Sequence, residues 1–315
     1  MTADGGKMRR ATSPDGGGFA VDRRALVLGA ASFGIAACTR PTSVAEPSAP
    51  APEAFDLSAL EQRNGGRLGF VAHDLASGRK LVSRGDERFV YCSTFKLYLS
   101  AATLLRVQAG KEQLGRAIPV TRADMINHAP VTEPAVGSSL TVEQLMKGTV
   151  EVSDNPAANL LLTALGGIEA MRGFYRSIGD NSTTVDRFEP EMNRLDGDKD
   201  TITPLQSTAN LHRLFVDAST PLSAASKTML MQWMIDTPTG EGRLKAGLPA
   251  GWRVAHKTGT GGYGPTNDIG ILYPPTGEPV IVAAYYHATS VSSSAANEAV
   301  IAEATRMALD TLGRA

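Results

Sequence analysis

The run from Cys92 to Leu105 constrains this chain more than any other stretch: beyond Lys96 almost every position is apolar or small, on all faces of a predicted helix. A helix apolar all round is normally buried. This one nevertheless opens on Ser93 and Lys96, three residues apart and so on one face of its first turn. One explanation makes Ser93 a nucleophile that Lys96 helps to deprotonate. The free N–H groups and partial positive charge of the helix start would then stabilise an oxyanion. The bland alternative makes Ser93 an N-cap and lets Lys96 reach water along its apolar stem. An isolated Ser-x-x-Lys favours the bland alternative, because so short a pattern recurs by chance. Ser77-Gly78-Arg79-Lys80 has the same spacing and reads as a polar turn between two strands.

A length of 315 residues allows one large domain or two, and a formal net charge of −1 leaves no basic surplus for nucleic acid. His73, His128, His212, His256 and His287 form neither His-x-His nor His-Glu-x-x-His, and Cys38 and Cys92 are too few for a metal site. No metal and no cofactor is expected. Residues 1–37 read as an export signal, with Arg9, Arg10, Arg23 and Arg24 ahead of an apolar run from Ala25 to Ala37 that is too short for a mature membrane span. Arg23-Arg24 is similar to a twin-arginine signal. Ile35-Ala36-Ala37-Cys38 is similar to a lipoprotein cleavage box, with Cys38 as the lipidated residue; the alternative is an ordinary signal with an accidental cysteine. Met8 is an alternative start. Residues 38–54, rich in Pro, Ala and Ser, read as a flexible tether. The mature domain then keeps only Cys92, which rules out a disulfide within it and reads as a small buried residue.

Further along, Leu57 and Leu60 predict a short helix over 55–63 ending at Asn64-Gly65-Gly66. Strands are expected over 67–74 and 80–83, then the central helix, then an irregular stretch from Val107 to Ser138 broken by Pro119 and Pro130. Helices are expected over 141–150, 157–165, 168–178, 204–218, 222–235 and 295–312. Asn155 precedes Pro156, which predicts a non-helical backbone there. The stretch 181–202 is too long for an idle connector. Strands return at 253–260, 267–273 and 280–287. Strands at both ends with helices between predict an α/β (α+β) fold: an antiparallel sheet built from both ends of the mature chain (55–315), flanking helices, and an inserted helical lobe over about 92–235. A cleft between the two is the expected active site.

Three more motifs accompany Ser93-Thr94-Phe95-Lys96: Ser153-Asp154-Asn155, Lys257-Thr258-Gly259, and Phe188-Glu189-Pro190-Glu191-Met192-Asn193 in the long loop. Alone, the first two read as a helix-connecting turn and a strand end, and Glu189 as a surface acid. Together and in this order they resemble the class A serine β-lactamases, over nearly the whole chain from Ala54. Arg187, Asp200, Pro130-Val131-Thr132-Glu133, and Ala246-Gly247-Leu248-Pro249 before Trp252 agree with that resemblance. It implies a β-lactamase/transpeptidase-like fold and a hydrolase that opens β-lactam antibiotics through an acyl-serine. Ser93 is then the nucleophile, and the backbone N–H groups of Ser93 and Thr260 form the oxyanion hole. Ser153, near Lys257, relays a proton to the leaving nitrogen. Either Lys96 or Glu189 acting through water is the acylation base. Glu189 and Asn193 hold the hydrolytic water, and Asn155 bonds the substrate's amide side chain. Lys257, Thr258, Gly259 and Thr260 border the pocket for the substrate carboxylate. The family's arginine on the following strand is Thr266 here, and Arg243 takes the alternative position before the Leu-Pro pair; its bland reading is an exposed helix-end arginine.

The chain departs from the family pattern at several points. His128 replaces a tyrosine or tryptophan at the cleft rim, which implies weaker or pH-sensitive stacking on the substrate. His256 replaces an aspartate before Lys257, which implies the loss of a nearby negative charge and a lower lysine pKa. Phe188 replaces a tryptophan. The loop from Asn193 to Asp200 is short but keeps an Arg187–Asp200 bridge feasible. Gly261 stands where some carbapenem-hydrolysing relatives carry a cysteine, so Cys92 lacks that partner; Thr260 is compatible with cephalosporin turnover. The competing activities are a D-Ala-D-Ala carboxypeptidase or transpeptidase and a covalent β-lactam-sensing domain; Glu189-Pro190 with Asn193 argues against both. Penicillins and cephalosporins are the expected ligands, the chain is expected to be a monomer, and its expected place is the periplasm or cell envelope, with Cys38 as a lipid anchor.

Overall fold

A computed structural model describes residues 50–262, 264–289 and 292–315. The export signal, Cys38 and the first part of the tether lie outside the described residues. Strand β1 (Glu53–Ala54) pairs in parallel with β3, and Arg79 donates to both oxygens of Glu53 at 2.8 Å. The sheet therefore takes in two residues that composition alone assigns to the tether. Helix α1 (Ser58–Asn64) follows, then β2 (Arg67–Asp74), β3 (Lys80–Ser83) and β4 (Phe89–Val90). The turn before β3 is the polar one expected there, with Ser77 Oγ donating to Asp74 Oδ2 at 2.5 Å.

A 3-10 turn, Cys92–Thr94, leads into α2 (Phe95–Gln108), and every residue of α2 from Phe95 to Leu104 is buried. Leu97, Leu99 and Leu104 are each almost wholly out of water, a burial that stabilises by about 1.5–3 kcal/mol per side chain. The stretch before Ser138 is less irregular than its prolines suggest: β5 (Ala117–Pro119) pairs with β6 (Ser139–Thr141). Helices α3 (Val142–Glu151), α4 (Asn155–Leu165) and α5 (Gly167–Ser177) complete the lobe around α2. Contrary to the expectation from Pro156, Asn155 is the first helical residue. Asp154 caps α4 by accepting from Ala157 N at 2.8 Å, and a proline in the first turn costs no helical hydrogen bond.

The short β7 (Thr201–Ile202) pairs with β4 and closes the long loop onto the segment before Ser93. Helix α6 (Pro204–Leu211) runs on as a π-helical turn, His212–Val216, and packs on β2 and β10 rather than within the lobe. Helix α7 (Ala224–Asp236) returns to β8 (Arg253–Thr260), β9 (Pro265–Tyr273) and β10 (Val280–His287), and α8 (Ser294–Leu312) ends the chain. The main sheet has the order β1-β3-β2-β10-β9-β8, so both ends of the domain meet where β2 pairs with β10. Its strands read as continuous apolar runs because both faces are covered. Along β10, Val280, Val282, Ala284 and Tyr286 join the core beneath α1 and α8, while Ile281, Ala283 and Tyr285 join the core shared with the lobe. Among the described residues no helix is long and apolar enough to cross a membrane. Edge strand β8 and the 3-10 turn that carries Ser93 face each other, and the site lies between them.

Candidate active site

Ser93 does not cap a helix. The N-cap of α2 is Thr94, without a side-chain cap, and Ser93 Oγ instead accepts from Lys96 Nζ at 2.9 Å. Cys92, with φ of 48°, turns the chain into the 3-10 segment; Ser153 and His128 at the same cleft also take left-handed backbones, with φ of 62° and 60°. Such conformations cost of order 1–3 kcal/mol each and persist where the surrounding structure dictates them.

Lys96 does not reach water. It is wholly buried, and its Nζ lies 3.0 Å from Glu189 Oε1, 2.7 Å from Ser153 O, 2.5 Å from Asn155 Oδ1 and 3.4 Å from Ser153 Oγ. Burial lowers its pKa from the usual lysine value, and the Glu189 carboxylate opposes that shift. Glu189 Oε1 lies 3.4 Å from Ser93 Oγ, so serine, lysine and glutamate form one buried triangle. The Glu189–Pro190 peptide is cis. Asn193 donates its side-chain amide to Glu189 Oε2, and the Asn193 Oδ1 is buried with no partner among the described residues.

Across the cleft, Lys257 Nζ donates to Ser153 Oγ at 3.2 Å and to Thr258 O at 3.0 Å. It too is fully buried, and burial together with the charge of Lys96 holds its pKa well below 10.5. The charge that His256 was expected to remove is supplied from the next strand: the Asp268 carboxylate raises the Lys257 pKa and so opposes burial and Lys96, and it lies 2.9 Å from His256. Gly259 is required by close approach, since a Cβ there would sit 2.7 Å from Tyr91 O and 3.1 Å from Thr94 N. Gly261 N donates to Pro265 O at 3.0 Å, so along the pleat the N–H of Thr260 points the opposite way, to the open edge facing Ser93.

Arg243 is not an exposed helix-end residue. It is buried, donating to Gly259 O at 3.0 Å, Asn267 O at 2.7 Å and Thr260 Oγ1 at 2.7 Å, and pairing with Glu298 at 3.2 Å. Together with Ser93, Ser153, Thr258 and Thr260 it lines a cavity of about 620 Å³, enough for a small bicyclic molecule. Asn155 donates its side-chain amide to Asn127 O at 2.9 Å, with Asn127 Oδ1 a longer 3.5 Å away. His128 stands exposed on the cleft rim, its Nε2 bonded to Val152 O at 2.8 Å.

Two positioning residues escaped the sequence reading. Asn159, one turn after Asn155 on α4, grips the backbone of Glu189 from both sides, donating to its O at 2.9 Å and accepting from its N at 3.0 Å. The i,i+4 spacing from Asn155 was its only sequence signal. Asn267 on β9 donates to Val90 O at 2.9 Å and Tyr91 O at 3.1 Å, tying the sheet to the nucleophile's turn; nothing local marked it.

The long loop is anchored at its far end by Asp200, which is fully buried with φ of 53°. Asp200 accepts from Arg187 Nε at 2.6 Å, Asp186 N at 2.8 Å, Arg187 N at 3.1 Å and the Tyr91 hydroxyl at 3.1 Å. Asp200→Asn removes the charge from that cluster and leaves the partly solvated Arg187 with only the more distant Asp196 carboxylate, at 3.6 Å. We expect a loss of about 3 kcal/mol in thermal or denaturant unfolding, the low end for a broken buried pair. Because Glu189 rides on this loop and Ser93 does not, deacylation should slow more than acylation in single-turnover kinetics. Equal slowing of both steps would contradict this anchor role.

A buried serine, amine and carboxylate in contact, opposed by an open strand edge, are the groups that define the class of serine hydrolases. Known proteins agree. A family model described as the beta-lactamase enzyme family matches residues 54–312. Beta-lactamase L2 of Stenotrophomonas maltophilia is 42% identical over 271 residues, covering 85% of this chain and 87% of the relative. Beta-lactamase FAR-1 of Nocardia farcinica is 37% identical, covering 82% of each. Among solved structures, an ancestral class A β-lactamase superposes with a TM-score of 0.78 at 47% identity, over 81% of this chain and 98% of its own. A class A β-lactamase from Mycobacterium abscessus superposes with a TM-score of 0.78 at 40% identity, over 82% of this chain and 98% of its own. The chain belongs to the class A serine β-lactamases, enzymes that hydrolyse β-lactams and confer resistance to them.

Proposed function

We propose that this enzyme opens penicillins and cephalosporins through an acyl-Ser93 intermediate, with each residue in the following role. Ser93 Oγ attacks the β-lactam carbonyl while its proton passes to Lys96 or, through a water, to Glu189. The N–H groups of Ser93 and Thr260 hold the oxyanion; losing one such donor typically costs about 3 kcal/mol. The C–N bond breaks as Ser153, bridging Lys96 and Lys257, protonates the departing nitrogen. Glu189 then takes a proton from a water held with Asn193, the water attacks the ester carbonyl, and Ser93 leaves as a hydroxyl. Asn155 orients the substrate amide; Lys257, Thr258, Gly259, Thr260 and Arg243 receive its carboxylate, and His128 edges the ring. The observation that carries this reading is the 3.0 Å contact of Glu189 with Lys96 beside Ser93, since a positioned carboxylate is what turns an acylated serine over. Intact-mass measurements during reaction with a penicillin test it: turnover with little adduct is expected, and an adduct persisting for hours would make the chain a penicillin-binding or sensing domain. The enzyme acts as a monomer, exported by the signal over 1–37, with Cys38 the anchoring residue; labelling with a radiolabelled fatty acid tests the anchor.

The pocket also carries a pH signature. Carboxylate binding needs Lys257 charged, and its pKa is held well below 10.5. As pH rises through that depressed value the charge is lost, so kcat/KM for a carboxylated cephalosporin should fall on the alkaline side before ordinary lysines titrate. Lys257→Arg keeps its charge beyond about pH 12 and should move that limb upward. An unmoved limb in the pH–rate profile would remove Lys257 from the carboxylate pocket.

A further inference from the structure

Behind the carboxylate pocket lies a buried pair that the reaction as described does not use. His256 and Asp268 are 1% and 0% exposed. His256 faces Gly270 in the β8–β9 register, which places Asp268 diagonally beside it on the sheet face that α8 covers. The absence of a side chain at Gly270 makes the room, since a Cβ there would lie 2.8 Å from His256 Cβ. His256 Nδ1 sits 3.0 and 2.9 Å from the two Asp268 oxygens, and because a carboxylate only accepts, Nδ1 carries the hydrogen.

The turn between α7 and β8 is packed onto this pair. A Cβ at Gly240 would lie 3.2 Å from His256 Cε1 and 2.4 Å from Thr258 Cγ2. Asp268 Oδ2 accepts the backbone N–H of Leu244 at 3.3 Å, and Arg243 N closes the turn on Gly240 O at 2.9 Å. Arg243 is thus one residue from an atom fixed by Asp268. From that anchored turn its guanidinium fork reaches Gly259 O, Asn267 O and Thr260 Oγ1, with Glu298 3.2 Å away on the other side.

We propose that His256 and Asp268 form a positioning pair that seats the Arg243 turn against β8 and thereby sets the enzyme's preference for β-lactams bearing a free carboxylate. The inference rests on Arg243 receiving that carboxylate. His256 aims the Asp268 carboxylate at Leu244 N; without His256 the carboxylate is free to turn toward Lys257, the turn loosens, and the guanidinium loses its place.

The test compares kcat/KM for a cephalosporin and for its methyl ester, which lacks the charge. The wild type should prefer the acid. Arg243→Ala should reduce that preference, and His256→Ala should reduce it at least about tenfold through KM, with kcat and ester turnover little changed. His256→Asn returns an N–H donor near the Nδ1 position and should restore most of the preference, which a purely structural role would not require. Should His256→Ala fail to fold, His256→Leu fills the volume without a donor and carries the same expectation. An unchanged preference in Arg243→Ala would overturn the carboxylate assignment itself. A reduced preference there with an unchanged one in His256→Ala or His256→Leu, or equal losses on acid and ester, would overturn the role of the pair alone.

Discussion

Glu189→Ala should hold one acyl group per chain on Ser93 when mixed with a good penicillin, with steady-state turnover lowered about 10²–10⁴-fold. The size follows from what the carboxylate does. It is the acid within reach of Ser93 Oγ, at 3.4 Å, and its second oxygen takes the amide of Asn193, whose own Oδ1 is buried without a partner among the described residues. These groups can fix a water beside the ester, and removing the carboxylate removes the base for that water. Lys96 cannot replace it, because Nζ is committed to Ser93, Ser153 and Asn155. Intact-mass spectrometry after seconds and hours reads the adduct directly. Wild-type-like turnover in Glu189→Ala would move the deacylation base elsewhere.

Lys96→Ala should slow acylation itself by about 10²–10⁴-fold, with no burst of released product. Two effects combine. Ser93 loses its 2.9 Å contact to an amine whose pKa burial has lowered from the usual lysine value. Glu189 loses the cation 3.0 Å away, and the carboxylate is left buried without a countercharge. Comparing acylation rates in Lys96→Ala and Glu189→Ala separates the two candidate bases. If Glu189→Ala acylates near the wild-type rate while Lys96→Ala does not, Lys96 takes the serine proton. If both lose acylation alike, the pair acts as a unit.

The arrangement of the site residues was legible where it depends on neighbours in the chain. Ser93 and Lys96 share a helical turn, so a spacing of three residues places their side chains together whatever the rest of the fold does. Lys257, Thr258 and Gly259 lie on one strand, and their alternation follows from the pleat. The Arg187–Asp200 bridge closes a loop of modest length. The same local reasoning erred at Asn155, where the residue before a proline became the first turn of α4 because Asp154 supplied the cap. It erred again at Glu53 and Ala54, whose polar, alanine-rich surroundings conceal a strand pairing that only β3 can offer.

On its own, the amino-acid sequence established that Ser93 and Lys96 lie one turn apart at the start of a buried helix, which motifs occur and in what order, and that strands stand at both ends with helices between. The tertiary structure alone decided what crosses between distant segments. It brought Glu189 to Lys96, set Asn159 on the Glu189 backbone, buried Arg243 against β8 and laid Asp268 beside His256. The physical reason is one of range. Periodicity constrains residues a turn or a pleat apart, whereas these contacts depend on strand register and on how the lobe packs against the sheet, which are set by the sum of many buried contacts and by no short stretch of chain.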